Sequence, residues 1–234
     1  MKYTYLLINL CAVAIPLIFS FHPRLRFDKH WKHVFTAIAA VALIFILWDA
    51  QFTAMGVWWF NDNYVLGLDI LGLPIEEWLF FICIPYACLF TYHCFGILLP
   101  KRLLSRRSQG ISIFLVTALL IVAGTHIDRW YTSVTFIALA LVIGYLEWGA
   151  RARWLLQFYI SYLVLIIPFV IVNGLLTGTC LENPVVNYND AENVGIRLLT
   201  IPVEDIFYGM LLILLNVAVL EFCRQKLAIV VGRQ

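Results

Sequence analysis

Two short segments carry paired acids behind a proline: Leu73-Pro74-Ile75-Glu76-Glu77-Trp78-Leu79-Phe80 and Ile201-Pro202-Val203-Glu204-Asp205-Ile206-Phe207-Tyr208. Proline suits the first position of a helix, where its missing N–H would be unpaired anyway. The two acids that follow then fall in the first turn, near the positive end of the helix dipole. One such turn is ordinary. Two copies at matching positions, each opening an apolar run, argue for a site, because ionisable groups at membrane depth are costly and mark function. Asp49, in Leu47-Trp48-Asp49-Ala50, ends another apolar run at the same membrane face. The chemistry available to such a group is proton transfer. A carboxylic acid kept neutral in an apolar pocket donates a proton, and a second carboxyl accepts one. Consecutive helical residues point about 100° apart, so Glu76 and Glu77 cannot both face one cavity. By the repeat, Glu76 matches Glu204 and Glu77 matches Asp205. One matched pair faces inward and the other faces the loops, and the spacing leaves open which.

Aromatic residues gather at the same face: Trp48, Phe52, Trp58, Trp59, Phe60, Tyr64, Trp78, Phe80 and Phe81. Rings at this depth form the interfacial belt of many membrane proteins. They also stabilise a cation through their faces. Trp58-Trp59-Phe60 reads as an interhelical loop that could fold over a site.

Of the 234 residues, 63% are hydrophobic and 13% charged. Soluble domains average roughly 45–50% and about 25%, so this chain needs lipid as its solvent. Seven apolar runs approach the roughly 20 residues a spanning helix requires: 3–21, 31–50, 74–99, 111–127, 130–148, 154–177 and 201–222. The fold class is therefore all-α and polytopic. The offset that carries Pro74 onto Pro202 also carries the first three runs close to the last three. The chain reads as two parallel three-helix repeats, 1–100 and 129–234, joined by a linking helix within 101–128. A duplicated bundle tends to form its site where the repeats meet.

Basic residues in short loops set orientation. Thirteen of the 16 Lys and Arg fall on one side: Arg24, Arg26, Lys29, Lys32, Lys101, Arg102, Arg106, Arg107, Arg151, Arg153, Arg224, Lys226 and Arg233. This predicts an outer N-terminus and a cytoplasmic C-terminus in the plasma membrane. Eleven of the 14 acids lie at or just inside the opposite face. The apolar run at the start is followed by His22-Pro23-Arg24 instead of a cleavage site, so it reads as a retained first helix. The net charge of +2 points to no nucleic-acid partner. The six cysteines form no C-x-x-C pair and suggest neither a disulfide framework nor a metal site.

Phe45-Ile46-Leu47-Trp48-Asp49, the Pro-x-Glu-Glu segment, Gly195-Ile196-Arg197 and the Pro-x-Glu-Asp segment together resemble the integral-membrane, heterodimer-type lycopene cyclases. In that family two homologous three-helix modules are separate chains or one fused chain, and this sequence is similar to the fused form over nearly its whole length. The resemblance implies cyclisation of the ψ end groups of lycopene, usually to β rings. An acid protonates a terminal double bond, the tertiary cation is attacked by a neighbouring double bond, and a base removes a proton. It also implies that Glu76 and Glu204, or Glu77 and Asp205, supply acid and base with Asp49 beside them. Asn61, Asn173 and Arg197 would orient these groups. Trp48, Trp58, Trp59, Phe60, Trp78, Phe81 and Tyr208 would contact the substrate. That substrate, lycopene or a related carotenoid, would come from the membrane lipid, and a homo-oligomer stays open.

No G-x-G-x-x-G follows a strand, so no flavin is expected. His30 and His33 beside Asp28 read as a solvated patch, and no metal is expected. A retinal photoreceptor needs a lysine deep in the last helix, and Lys2, Lys29, Lys32, Lys101 and Lys226 all lie elsewhere. Asp62 and Asp69 are too sparse to hold the magnesium diphosphate of a prenyltransferase. A proton-coupled transporter, a lipid-binding scaffold or a carotenoid enzyme forming another end group would share the repeats and the intramembrane acids. Product formation separates the first two from an enzyme.

Overall fold

A computed structural model describes residues 2–100 and 108–231, with side chains up to Gln225. The basic loop 101–107, and with it Lys101, Arg102, Arg106 and Arg107, lies outside the described residues, as do Arg233 and the side chain of Lys226.

Seven helices are described: α1 (Thr4–Phe19), α2 (Trp31–Ala54), α3 (Ile75–Leu98), α4 (Gln109–Thr125), α5 (Trp130–Gly144), α6 (Leu155–Leu176) and α7 (Val203–Val231). A π turn, Tyr145–Gly149, extends α5. Five spans are long and apolar enough to cross a membrane: α2, α3, α5 with its π turn, α6 and α7. At 16 residues α1 is shorter than its run 3–21, and α4 has the 17 residues of its run, two residues earlier in the chain. At 1.5 Å per residue α1 rises about 24 Å, against a hydrocarbon core of about 30 Å. The Ser20 hydroxyl donates to the Pro16 carbonyl and meets the Tyr86 hydroxyl at 2.6 Å, where α1 gives way to a turn. The chain is an all-α, polytopic membrane protein.

The odd-numbered helices begin, and the even-numbered ones end, at the acidic face. There six short strands stand where the sequence reads loop or, at Pro74, Ile201 and Pro202, the start of a helix: β1 (Trp58–Phe60), β2 (Asp69–Ile70), β3 (Leu73–Pro74), β4 (Val186–Tyr188), β5 (Arg197–Leu198) and β6 (Ile201–Pro202). The hairpins β2–β3 and β5–β6 are copies. Asp69 pairs with Pro74 as Arg197 does with Pro202. Leu71 and Leu199, equivalent by the repeat, both have positive φ, at 56° and 59°. Each proline therefore closes a hairpin instead of opening a helix, and α3 and α7 start on the residue after it, Ile75 and Val203. Pro74 is the N-cap of α3, extended at φ −62°, ψ 148°.

β1 pairs with β4 antiparallel: Trp58 with Tyr188, Trp59 with Asn187 and Phe60 with Val186. Trp59 and Asn187 are themselves repeat equivalents, so the register is self-complementary, as a twofold rotation demands. Matching backbone bonds clasp the loops: Asn61 N–H donates to the Val185 carbonyl at 2.9 Å, and Asn189 N–H to Val57 at 2.9 Å. Below the clasp, one buried cluster fills the bundle around Phe45, Phe81, Leu139 and Leu214. A second, around Tyr5, Phe52, Trp58, Tyr131 and Val185, closes the acidic end.

Candidate active site

The two acids of each motif take different roles, and the two repeats take them alike. Glu76 and Glu204 are fully buried and turned to the loops. Glu76 Oε1 accepts from Leu66 N–H at 2.8 Å. Its equivalent Glu204 Oε1 accepts from Val194 N–H at 2.7 Å and from the Thr132 hydroxyl at 2.6 Å. These carboxyls pin each hairpin onto its own helix. Replacing Glu204 by alanine removes the acceptor of the buried Thr132 hydroxyl and of the half-buried Val194 N–H, at about 1–3 kcal/mol each. Glu204→Ala is therefore expected to lower the unfolding midpoint of the detergent-solubilised protein strongly, and Glu204→Gln, which keeps an acceptor oxygen, much less. Equal midpoints for Glu204→Ala and wild type would remove this structural role.

Glu77 and Asp205 point the other way, into a cavity of about 380 Å³ on the pseudo-twofold axis. Glu77 accepts from the Tyr5 hydroxyl. Asp205 accepts from the Tyr131 hydroxyl at 2.5 Å on Oδ1, and on Oδ2 from Asn173 Nδ2 at 2.7 Å and the Tyr188 hydroxyl at 2.8 Å. Tyr5 and Tyr131 are equivalents: their backbone N–H groups donate to the carbonyls of Tyr64 and Glu192, which the repeat also superimposes. Tyr188 lies on β4, outside the membrane spans. Burial first, and the Asp205 carboxylate second, push its hydroxyl well above its ordinary range, so it stays a donor.

Asp49 lines the same cavity and breaks the symmetry. Its repeat equivalent is Thr177, whose hydroxyl is spent on the Asn173 carbonyl and on Thr200. Asp49 is 4% exposed, and its Oδ2 has no hydrogen-bond partner among the described residues. One half of the site thus holds two carboxyls with one hydroxyl donor, Tyr5, and the Trp58 indole beside Asp49, and the other holds one carboxyl with three donors.

Of the aromatic candidates, Trp58, Phe60 and Tyr208 line the cavity with Tyr5, Phe80, Tyr131 and Tyr188. Trp58 packs edge-on to Tyr131 at 5.1 Å between ring centroids, and Tyr131 stacks on Tyr188 at 6.1 Å. Trp48 and Phe81 stand behind the lining, both against Phe45. Trp59 is half exposed on the far face of β1. Trp78 donates its indole N–H to the Ile70 carbonyl in the hairpin. Asn173 lines the cavity. Asn61 does not, and its side chain donates to Pro184 in the clasp. Arg197 also sits outside, on the loops. It donates to Asp190 at 2.5 Å and to the Thr200 carbonyl at 2.8 Å. That bond holds the Asp190 carboxyl below the usual range.

Tyr5, Tyr131 and Tyr188 are what the sequence reading missed. A signal exists: Asn61-Asp62 recurs as Asn189-Asp190 at the offset of the two proline motifs, which aligns β1 with β4 and makes Tyr188 the repeat equivalent of Phe60.

The cavity thus offers three carboxyls of unequal hydrogen bonding, a wall of rings and an end sealed by paired strands. These are the parts needed to make and shelter a carbocation. No curated protein and no solved structure matches the chain. A family model described as lycopene cyclase matches residues 2–95 and again 128–223, one match on each three-helix repeat. The chain belongs to the lycopene cyclase family, and it is a membrane-embedded carotenoid cyclase.

Proposed function

We propose that this chain converts the ψ end groups of lycopene to β rings by proton transfer alone, using Glu77, Asp49 and Asp205. The observation that carries the reading is the convergence of these three carboxyls, from both repeats, on one cavity walled by aromatic rings.

The roles follow from hydrogen-bond inventory. An ionised carboxyl is an acceptor only, and Asp205 receives three donors. A carboxylate with few donors in an apolar cavity is strongly disfavoured unless it takes up a proton. Glu77 has one donor, and Asp49 Oδ2 has none. One proton shared across the Asp49–Glu77 pair removes that cost and supplies the acid. This proton adds to the terminal double bond and leaves a tertiary cation. The neighbouring double bond closes the six-membered ring and passes the charge along, and Asp205 takes the proton released as the ring double bond forms. One proton is gained and one lost, so the product is an isomer of the substrate. Ring faces of Trp58, Tyr131 and Tyr208 stabilise the charge in between. The β1–β4 clasp excludes the water that would capture it.

The basic bias of one face supports an outer, acidic N-terminal side and a cytoplasmic C-terminus in the plasma membrane.

One cavity on the symmetry axis serves one end of the molecule at a time. In lycopene-producing cells expressing this chain, chromatography of the pigments should therefore show a monocyclic carotene before the bicyclic one, both carrying β rings. Lycopene left unchanged by membrane-inserted protein would overturn the cyclase reading. Bicyclic product with no monocyclic precursor at early times would overturn the one-end-at-a-time reading.

A further inference from the structure

We propose that the carotenoid enters sideways from the lipid through a portal between α1 and α6, and that its polyene chain lies in the cleft behind that portal while one end group reacts. The proposal rests on the cyclase reading of the same cavity and adds where the substrate passes and where the unreacted chain rests.

The cavity is longer than an end group needs. Along α3 its lining runs from Glu77, beside the carboxyls, to Thr91. At 1.5 Å per residue that stretch rises about 21 Å, most of the depth of the hydrocarbon core. Every side chain lining this deeper stretch is apolar or weakly polar, including Ala87, Cys88, Leu165 and Leu212. Small residues hold it open. At Gly209 an added Cβ would stand 3.3 Å from the Tyr162 hydroxyl and 3.4 Å from Phe169.

One flank is not closed. Cys11 and Ile15 of α1 and Pro168 of α6 line the cavity and are also exposed on the outer surface of the bundle. Ile15 is 66% exposed. α1 packs chiefly on α3 and only lightly on α6. The symmetry-related seam, between α5 and α2, gives this cavity only Tyr131 and Asp49 among the described residues. Lipid contacts the open seam directly, so a chain dissolved among acyl chains reaches the carboxyls without crossing water or the sealed strand end. An apolar chain in the cleft exchanges one apolar medium for another, and the ordered cleft aligns the end group with the acids.

The test blocks the mouth with bulk at the exposed Ile15 and at the half-buried Ala12 one turn earlier. Ile15→Trp and Ala12→Trp, each in the full chain, are compared with wild type and with Ile18→Trp. Ile18 is 69% exposed on the same helix and does not line the cavity. Each is expressed in lycopene-producing cells. Cyclised product per unit of membrane-inserted protein and lycopene retained by the purified protein are both measured. The expectation is a loss of at least tenfold in product and a matching loss of retained lycopene for Ile15→Trp, with Ile18→Trp within twofold of wild type. Wild-type levels of both in Ile15→Trp and Ala12→Trp overturn the portal. If wild type itself leaves lycopene unchanged, the cyclase reading fails. Retained lycopene then decides the portal alone: held by wild type and lost in Ile15→Trp upholds it, and any other pattern overturns it.

Discussion

Glu77→Gln should leave lycopene almost wholly uncyclised, with a fall of about 10²–10⁴-fold, the range for loss of a positioned proton donor. Glutamine fits the same space, and its side-chain oxygen still accepts from Tyr5, so the fold has no reason to fail. What it lacks is a transferable proton. Chromatography of pigments, normalised to protein recovered in the membrane, reads the effect. Turnover within a few-fold of wild type would remove Glu77 as the donor and leave Asp49 as the remaining acid of the pair. The loss is expected for both ring closures alike, because both use the same cavity.

An equally large loss is expected for Asp205→Asn, with a different residue of products. The amide cannot take up the final proton, and its NH₂ group must face donors already aimed at that position by Tyr131, Tyr188 and Asn173. The cation still forms, since the acid pair is intact, but its normal exit is closed. Turnover should fall about 10²–10⁴-fold, and the trace of product should carry end groups other than β rings, from deprotonation elsewhere or from capture by water. Glu77→Gln should give no such trace, because no cation forms there. Clean β-ring product at an undiminished rate from Asp205→Asn would show that another group is the base. Unfolding midpoints of the purified variants separate lost chemistry from lost fold.

The duplication explains how one site came to hold unlike halves. Hairpin, buried glutamate, inward acid and its tyrosine recur in both repeats: Glu76, Glu77 and Tyr5 in one, Glu204, Asp205 and Tyr131 in the other. Asp49 has no acidic counterpart, and Asn173 has none either, because Phe45 stands at the equivalent place. On a twofold axis, identical halves would give two equal carboxyls. The two unpaired residues add an acid to one side and a hydrogen-bond donor to the other, which in the proposed mechanism separates a proton donor from a proton acceptor.

The membrane class, the duplication and the four motif acids are legible along the chain. These are local properties: composition sets the solvent, the constant offset from Pro74 to Pro202 exposes the repeat, and Pro-x-acid-acid marks a helix start at one membrane face. The chain also narrows the inward acids to one of two matched pairs, because about 100° per residue forbids neighbours from sharing a direction. That Glu77 and Asp205 face the cavity, while Glu76 and Glu204 hold the hairpins, emerges only on folding. It depends on which side of α3 and α7 meets the other repeat, and no spacing within one helix contains it. The same holds for Tyr5 on Glu77 and Tyr131 on Asp205, pairs whose members lie far apart in the chain. Trp58 and Phe60 form a strand instead of a loop because β4, from the other repeat, satisfies their backbone groups. By their neighbourhood in the chain, Trp59, Asn61, Trp78 and Arg197 read as site residues. The clasp, the hairpins and the loop surface hold them instead, through backbone partners that only the folded chain brings near.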